Sequence, residues 1–456
     1  MSFFGFTSSE FWPYLGIFIC IFIILVYNYQ KGYQYLWSPL SIIAIIFAYY
    51  CLLGPYEAVS SGKTVDRLLN MRPFYSSAFW GAFVLIFSCI IGFHLKTPDR
   101  RQSPTPPYPI DTLFTYGRNI CIIGFVLFAI ATGGGVVYLI NPILADGGGP
   151  TDEALGGSFA NYLTLSLNFL IPGVSLLLAY SMKTNKRWAW FTVVLIVSIG
   201  VFTSLGFRYR LVLLLGSLAI IYYLSVKRRP NILLAFGFFV LFILAMGVIN
   251  ETRNYGRGLD TTRLENSNQS YYESGLNESR IFQTSGAVID LTPSKIPHAG
   301  FTPIINTILF PIPSQLFPGK KSAEYLFNAL NAIYGGPVSQ GAAFMAYGEY
   351  YLAFGWFGII IGGFLIGWFY KKLWSWYLAD HRDPLHIAIY AVTVIYLYVI
   401  VSRGYLPQVT MLFFFSVFPV YIVRRIIKRR FAIPLVRKRV PVAHESYPPH
   451  PQPGQN

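Results

Sequence analysis

Phe11–Tyr29 reads FWPYLGIFICIFIILVYNY, nineteen residues without a charge. A hydrocarbon core of about 30 Å is crossed by about 20 apolar residues in a helix rising about 1.5 Å per residue, so this stretch is one membrane crossing. It has no basic segment before it and no small-residue cleavage site after it, which reads as a retained helix and not a signal peptide. Ten further apolar runs follow at about 38–54, 76–95, 118–139, 159–181, 188–206, 211–226, 232–250, 350–370, 386–402 and 405–423. Composition agrees: 54% of the 456 residues are hydrophobic, mean hydropathy is +0.50, and 12% are charged where a soluble domain carries about 25%. The expected fold is all-α, a polytopic integral membrane protein of about 11 transmembrane helices, with the lipid bilayer as its first partner.

The net charge of +16 divides by membrane side. With the C-terminus in the cytoplasm, the connections after odd-numbered helices and the tail hold about 22 Lys and Arg against about 5 acidic residues, and the other face about 13 against about 14. This positive-inside distribution places the N-terminus outside and the C-terminus inside, anchored by RRIIKRRFAIPLVRKR, Arg424–Arg439. The charge is thus topogenic, and no nucleic-acid partner is expected. Cys20, Cys51, Cys89 and Cys121 fall in or at the ends of spans, where thiols pack as small apolar groups. Their spacing suggests neither a metal site nor a disulfide framework.

Four regions follow: a bundle of about eight helices over 1–250, a large outer loop over 251–349, about three helices over 350–423, and a basic, proline-rich, disordered tail over 424–456. The connection 96–117 is proline-rich and reads as a linker, and the outer segment NPILADGGGPTDEALGGS as a mobile glycine-rich loop. A loop as long as 251–349 is uncommon unless it supplies a lid or a site. Its part GFTPIINTILFPIPSQLF, 300–317, is too short and too proline-broken to span. It reads as re-entrant or interfacial, because broken backbone at membrane depth must be covered by protein or line a wet cavity. Ala323, Leu326, Phe327, Leu330 and Ile333 then recur at helical spacing. That pattern predicts a short amphipathic helix on the outer surface, with Ser322 as N-cap and Gly335 and Gly336 as its stop. Lys320 and Lys321 precede that N-terminus and combine with it as a phosphate site, or serve as plain interfacial charges.

Arg208 and Arg210 lie in SLGFRYRLVLL, and the apolar run after Arg210 is short, which draws the cation towards a dry position. Arg403, in YVIVSRGYLPQVT, sits in a minimal outer turn. A guanidinium grips phosphate through paired hydrogen bonds, so these arginines and the two lysines suit a lipid-linked pyrophosphate. The alternative is headgroup snorkelling. For proton transfer the outer candidates are His298, Glu349, Asp290 and Glu251. Glu349 begins an apolar helix at the outer boundary and reads either as a partly desolvated base or as a charge complementing a helix dipole. No D-x-D pair, H-E-x-x-H, Walker loop or G-x-S-x-G occurs, so no metal and no cofactor are expected.

GFR (206–208), PIPSQLFPGK (311–320), GEYYLAFGWFG (348–358) and SRGY (402–405), set among many helices with one large late outer loop, resemble the Wzy-type polymerases of O-antigen and other oligosaccharide repeat units. The resemblance covers about 190–425. It implies a GT-C-like enzyme of the bacterial inner membrane, its loop periplasmic and containing short helices. Such an enzyme moves a growing glycan from undecaprenyl pyrophosphate onto a lipid-linked repeat unit, with no metal or nucleotide sugar. It implies as partners the undecaprenyl-pyrophosphate-linked oligosaccharides, a chain-length-determining co-polymerase and a repeat-unit flippase. By this match Arg208 and Arg403 are expected to bind pyrophosphate, with Lys320 and Glu349 as further matches. Arg210, Lys321 and His298 rest on spacing. The other readings of such a chain are an O-antigen ligase, which also has a large outer loop, and a transporter or flippase.

Overall fold

The structure is a computed structural model, and it describes residues 5–66, 68–95, 106–132, 163–204, 206, 208–252, 270–276, 279–312, 317, 323–336 and 343–431. Among them nine helices are long and apolar enough to cross a membrane, or ten with a bent pair counted as one span. In chain order they are α1 (Ser8–Lys31), α2 (Pro39–Ser60), α3 (Tyr75–His94), α4 (Asp111–Thr132), α5 (Leu163–Thr184), then the shorter apolar α6 (Trp188–Ser204), α7 (Arg208–Val226) and α8 (Ile232–Thr252). The large loop contributes α9 (Tyr271–Leu276), α10 (Arg280–Leu291), α11 (Thr302–Leu309) and α12 (Glu324–Tyr334). The chain closes with α13 (Ala346–Ala379), α14 (Pro384–Ser402) and the pair α15 (Leu406–Ser416) and α16 (Phe418–Phe431), bent by 42°. The eleven apolar runs of the sequence thus correspond to nine long helices, one short helix and one bent pair. Strand is confined among the described residues to Val65–Asp66 paired with Leu69–Asn70.

The surface is what a bilayer solvent selects. Phe18, Ile19, Phe22 and Ile23 of α1 and Leu233, Leu234, Phe236 and Leu241 of α8 are all exposed, an arrangement with no cost only where the surroundings are hydrocarbon. The interior takes the close-packed faces and the few polar groups. Helices α3 and α13 meet backbone to backbone: a Cβ on Gly92 would lie 2.2 Å from the Phe364 oxygen, and one on Gly367 would lie 2.0 Å from the Cys89 oxygen. Small residues give helices in lipid their close dispersion contact, and this crossing fixes the long part of α13 that follows the segment carrying Glu349.

The large loop is built into the bundle. Helix α10 packs on α3 and α13 with Phe282, Ala287 and Val288 fully buried. Ion pairs Lys63–Glu273 and Arg280–Asp66 tie the loop after α2 to α9 and α10. Helix α11 is the broken apolar stretch; it packs on α15 and leaves Phe301, Ile304, Ile305 and Ile308 exposed, the i, i+3, i+4, i+7 stripe of a helix lying in an apolar interface. Helix α12 forms where the heptad-like pattern predicts it. It ends at Gly335, left-handed at φ 73°, but Ala323 and not Ser322 occupies its N-cap position. The basic tail also starts later than 424: Arg424–Phe431 are the last turns of α16. Residues 432–456, the linker 96–105, the glycine-rich outer loop, Ser322, Lys320 and Lys321 lie outside the described residues.

Candidate functional site

The GEYYLAFGWFG stretch acquires its meaning at a kink. Phe354 (φ −138°) and Gly355 (φ 62°, ψ −149°) interrupt α13, and the positive φ with extended ψ at 355 is a conformation that glycine alone adopts without strain. The short helix before the kink carries Glu349, 2% exposed. The carboxylate accepts the Leu406 N–H on both oxygens, at 3.0 and 2.9 Å, and the Tyr325 hydroxyl donates to Oε1. Leu406 is the first residue of α15 and Pro407 the second. The acid therefore sits on an 11-residue helix N-terminus, where unpaired N–H groups and the positive end of the dipole favour an anion. Burial pushes the Tyr325 hydroxyl well above the ordinary phenol range, and the Glu349 carboxylate beside it pushes it further, which holds Tyr325 as a donor.

Arg403 stands one turn of chain away. It leaves α14 with extended backbone (φ −123°, ψ 112°), and the next N–H, of Gly404, donates to the Phe344 oxygen at 2.8 Å. That bond and the one from Met345 N–H to Ser285 Oγ at 2.8 Å lock the start of α13 to the α14–α15 turn. Arg403 and Glu349 line the same pocket, of about 300 Å³, whose walls are Tyr350, Tyr396, Ile400, Val409, Phe413 and Phe414 with the Thr410 hydroxyl. The Arg403 guanidinium carbon lies 6.0 Å from the ring centre of Tyr209, and that of Arg210 lies 5.7 Å from it. The RYR start of α7 thereby joins the Arg403 turn through an aromatic ring that stabilises cations on its face. Arg208 and Arg210 are buried, at 6% and 4% exposure; the shortness of the apolar run predicts this for Arg210. The Arg210 Nε donates to Asn168 Oδ1 at 3.2 Å.

The other proton-transfer candidates lie elsewhere. The His298 Nδ1 is 3.3 Å from the Leu352 oxygen, against the α13 kink and away from the residues lining the Glu349 pocket. Asp290 receives the Ser77 hydroxyl; burial pushes its carboxyl up, against the pull of that bond. Glu251 receives the Ser274 hydroxyl and ties α8 to α9. Comparison with protein-family models, curated proteins and solved structures gives no match to the chain.

Three contributors to the site were not read from the sequence: Tyr325, which donates to Glu349, Thr410 in the pocket wall, and the Leu406 N–H. The last had a visible signal, since proline in the first turn of a helix marks an N-terminus with open donors, and LPQ supplies it. At the opposite end of α13, Asp380, Asp383 and His386 offer ligand atoms within 4.8 Å of one another. Asp383 is employed there as the N-cap of α14, 3.2 Å from the Leu385 N–H, and is also held by His386 at 2.8 Å and Tyr108 at 2.6 Å.

Proposed function

We propose that this protein is a metal-independent polymerase of lipid-linked oligosaccharide repeat units, acting at the periplasmic face of a bacterial inner membrane with its N-terminus periplasmic and its C-terminus cytoplasmic. The observation that supports this reading best is one pocket, at one end of a bundle of apolar helices, that holds a buried carboxylate and a guanidinium on apolar walls. A sugar pyrophosphate on a lipid asks for such an arrangement: a cation for the departing charge, a base for the attacking hydroxyl, and apolar surface beside both.

In the reaction the acceptor hydroxyl oxygen bonds to the anomeric carbon of the donor glycan. The bond from that carbon to the pyrophosphate oxygen breaks, the electron pair leaves with the pyrophosphate, and the hydroxyl proton passes to Glu349. Arg403, with Arg208 and Arg210 nearby on α7, stabilises the charge that develops on the leaving group, as fixed positive groups in a water-poor site do. Lys320 and Lys321 would approach the same phosphates from the loop. His298, at the kink, would act by holding the short helix that carries Glu349. The co-polymerase and flippase partners belong to the same proposal.

The test is incubation of the purified protein with undecaprenyl-pyrophosphate-linked repeat units in chelator, followed by gel analysis. A ladder of products on the lipid carrier is expected. Transfer of glycan only to lipid A core would assign a ligase instead, and no glycan transfer to either acceptor would remove the enzymatic reading.

A further inference from the structure

A second cavity, of about 230 Å³, lies on the other side of α14 from the Glu349 pocket. It is lined by Trp37, Ile42, Ile45, Ile46, Tyr49 and Tyr50 on the α2 side, Val212, Gly216, Ala219 and Ile220 of α7, Phe239, Phe242 and Met246 of α8, and Ile395 and Tyr398 of α14. The Tyr50 and Tyr398 hydroxyls pair at 2.8 Å and the Tyr49 hydroxyl donates to the Gly275 oxygen, while the Trp37 Nε1 is buried without a partner among the described residues. Helix α8 packs its backbone on α9 and stands off α2 and α7, with its outward face exposed along its length. The cavity is therefore a slot behind the outermost helix, at membrane depth, where the solvent is hydrocarbon.

Along α7 the slot runs from Val212 to Ile220, about 12 Å at about 1.5 Å per residue, against about 15 Å for the hydrocarbon of one leaflet. At about 100° per residue, Arg208, Val212, Gly216 and Ala219 fall within an arc of about 80° on one face of α7. Arg210 falls on the opposite face, in agreement with its bond to Asn168. One face of one helix thus offers a cation at its start and, about one turn below it, an apolar slot long enough for the first few isoprene units of a chain. That is the pattern of a lipid with an anionic head and a hydrocarbon tail.

We infer that this slot holds the head-proximal part of the polyisoprenoid chain of the pyrophosphate-linked donor, with the head at Arg208 and directed past Tyr209, whose ring lies 6.0 Å from the Arg403 guanidinium. The inference rests on the polymerase reading for the identity of the head. Gly216 lets Ile395 of α14 pack close against α7, Ala219 keeps the wall of the slot low, and the rings around it supply flat contact.

Capture and binding test it without turnover. With full-length protein in phosphatidylglycerol nanodiscs and undecaprenyl phosphate as probe, a photoreactive phenylalanine at position 239 is expected to capture the probe at least about fivefold more than one at the outward position 236. In native mass spectrometry, Ala219→Phe, which fills the slot, is expected to weaken probe binding at least about tenfold, whereas Leu234→Phe on the outward face leaves it unchanged. Equal capture at 239 and 236, or equal capture of phosphatidylglycerol at 239, overturns the assignment even if Ala219→Phe fails to fold. Probe binding in a protein that forms no polymer leaves the slot standing and removes the polymerase reading. Polymer formation with no capture at 239 does the reverse.

Discussion

Glu349→Gln separates the two things this carboxylate does. Structurally, it exchanges a charged acceptor for a neutral one at the Leu406 N–H, which lies 3.0 and 2.9 Å from its oxygens. Hydrogen bonds to charged groups contribute about 1.5–3 kcal/mol and neutral ones about 0.5–1.5, so the exchange costs about 1–2 kcal/mol. The lost charge at the α15 N-terminus adds up to about 1 kcal/mol. A total of about 1–3 kcal/mol is within a typical stability of about 5–15 kcal/mol, so the variant folds and inserts. Chemically, a positioned general base contributes about 10²–10⁴ in rate, or about 3–5 kcal/mol of barrier. The assay is initial ladder formation per folded molecule, beside a thermal melt of the same sample. A rate lowered at least a hundredfold with a modest fall in melting temperature is expected. A Gln variant that keeps more than about half the rate per folded molecule refutes catalysis by Glu349 and leaves it as an anchor for α15.

Arg403→Ala is expected to abolish ladder formation while the protein still inserts; Arg403→Lys should retain partial activity, since an ammonium keeps the charge but loses the planar fork. Gel analysis of both, normalised to membrane-inserted protein, decides it, and wild-type chain lengths in the Ala variant would remove the pyrophosphate role. Gly367→Val should cost about 3 kcal/mol or more, because a Cβ there meets the Cys89 oxygen at 2.0 Å and an overpacked crossing must part; an unchanged melting temperature would contradict the α3–α13 contact. Burial pushes the Asp383 carboxyl up, but hydrogen bonds from His386 and Tyr108 outweigh it and hold the group below the ordinary carboxylate range. A depressed folded value means stability fully present above the unfolded value of about 3.9 and lost as pH falls through the folded one. Melting temperature should therefore drop on acidification below about pH 4, less so in Asp383→Asn, and parallel curves for the two proteins would count against it.

The spans were legible because each is a local property: an uncharged run long enough to cross hydrocarbon needs no knowledge of its neighbours. The burial of Arg210 was legible for the same reason, since a short run forces its flanking cation inward; that of Arg208 was not read from it. The shared pocket was not legible, because Glu349 and Arg403 are brought to it by the Phe344–Gly404 and Glu349–Leu406 bonds, contacts between residues far apart in sequence. Spacing within HAGF does not reveal that the imidazole of His298 lies on the kink, at the Leu352 oxygen, and not among the residues that line the pocket. The loop's interfacial segment was half legible: the prolines said where a span could not form, and the exposed stripe of α11 gives the face it turns outward.

The arrangement of α13 explains why one helix can serve both anchoring and chemistry. Beyond the kink it is held to α3 by glycines on both partners, a contact with no side-chain freedom to adjust. Before the kink the short helix is as closely packed, with Phe344, Met345 and Tyr347 fully buried, and it is fixed further by polar bonds: Met345 to Ser285, Gly404 to Phe344, Leu406 and Tyr325 to Glu349. Gly355 at φ 62° joins the two regimes. A side chain at 355 would strain the backbone by about 1–3 kcal/mol, and any change in the kink angle that relieves it moves the short helix that carries Glu349. Gly355→Ala should therefore reduce ladder formation by a larger factor than its loss of stability accounts for, because a shift of about 1 Å at a reacting group is enough to cost about a hundredfold. If rate and stability fall together, the kink is a packing device alone.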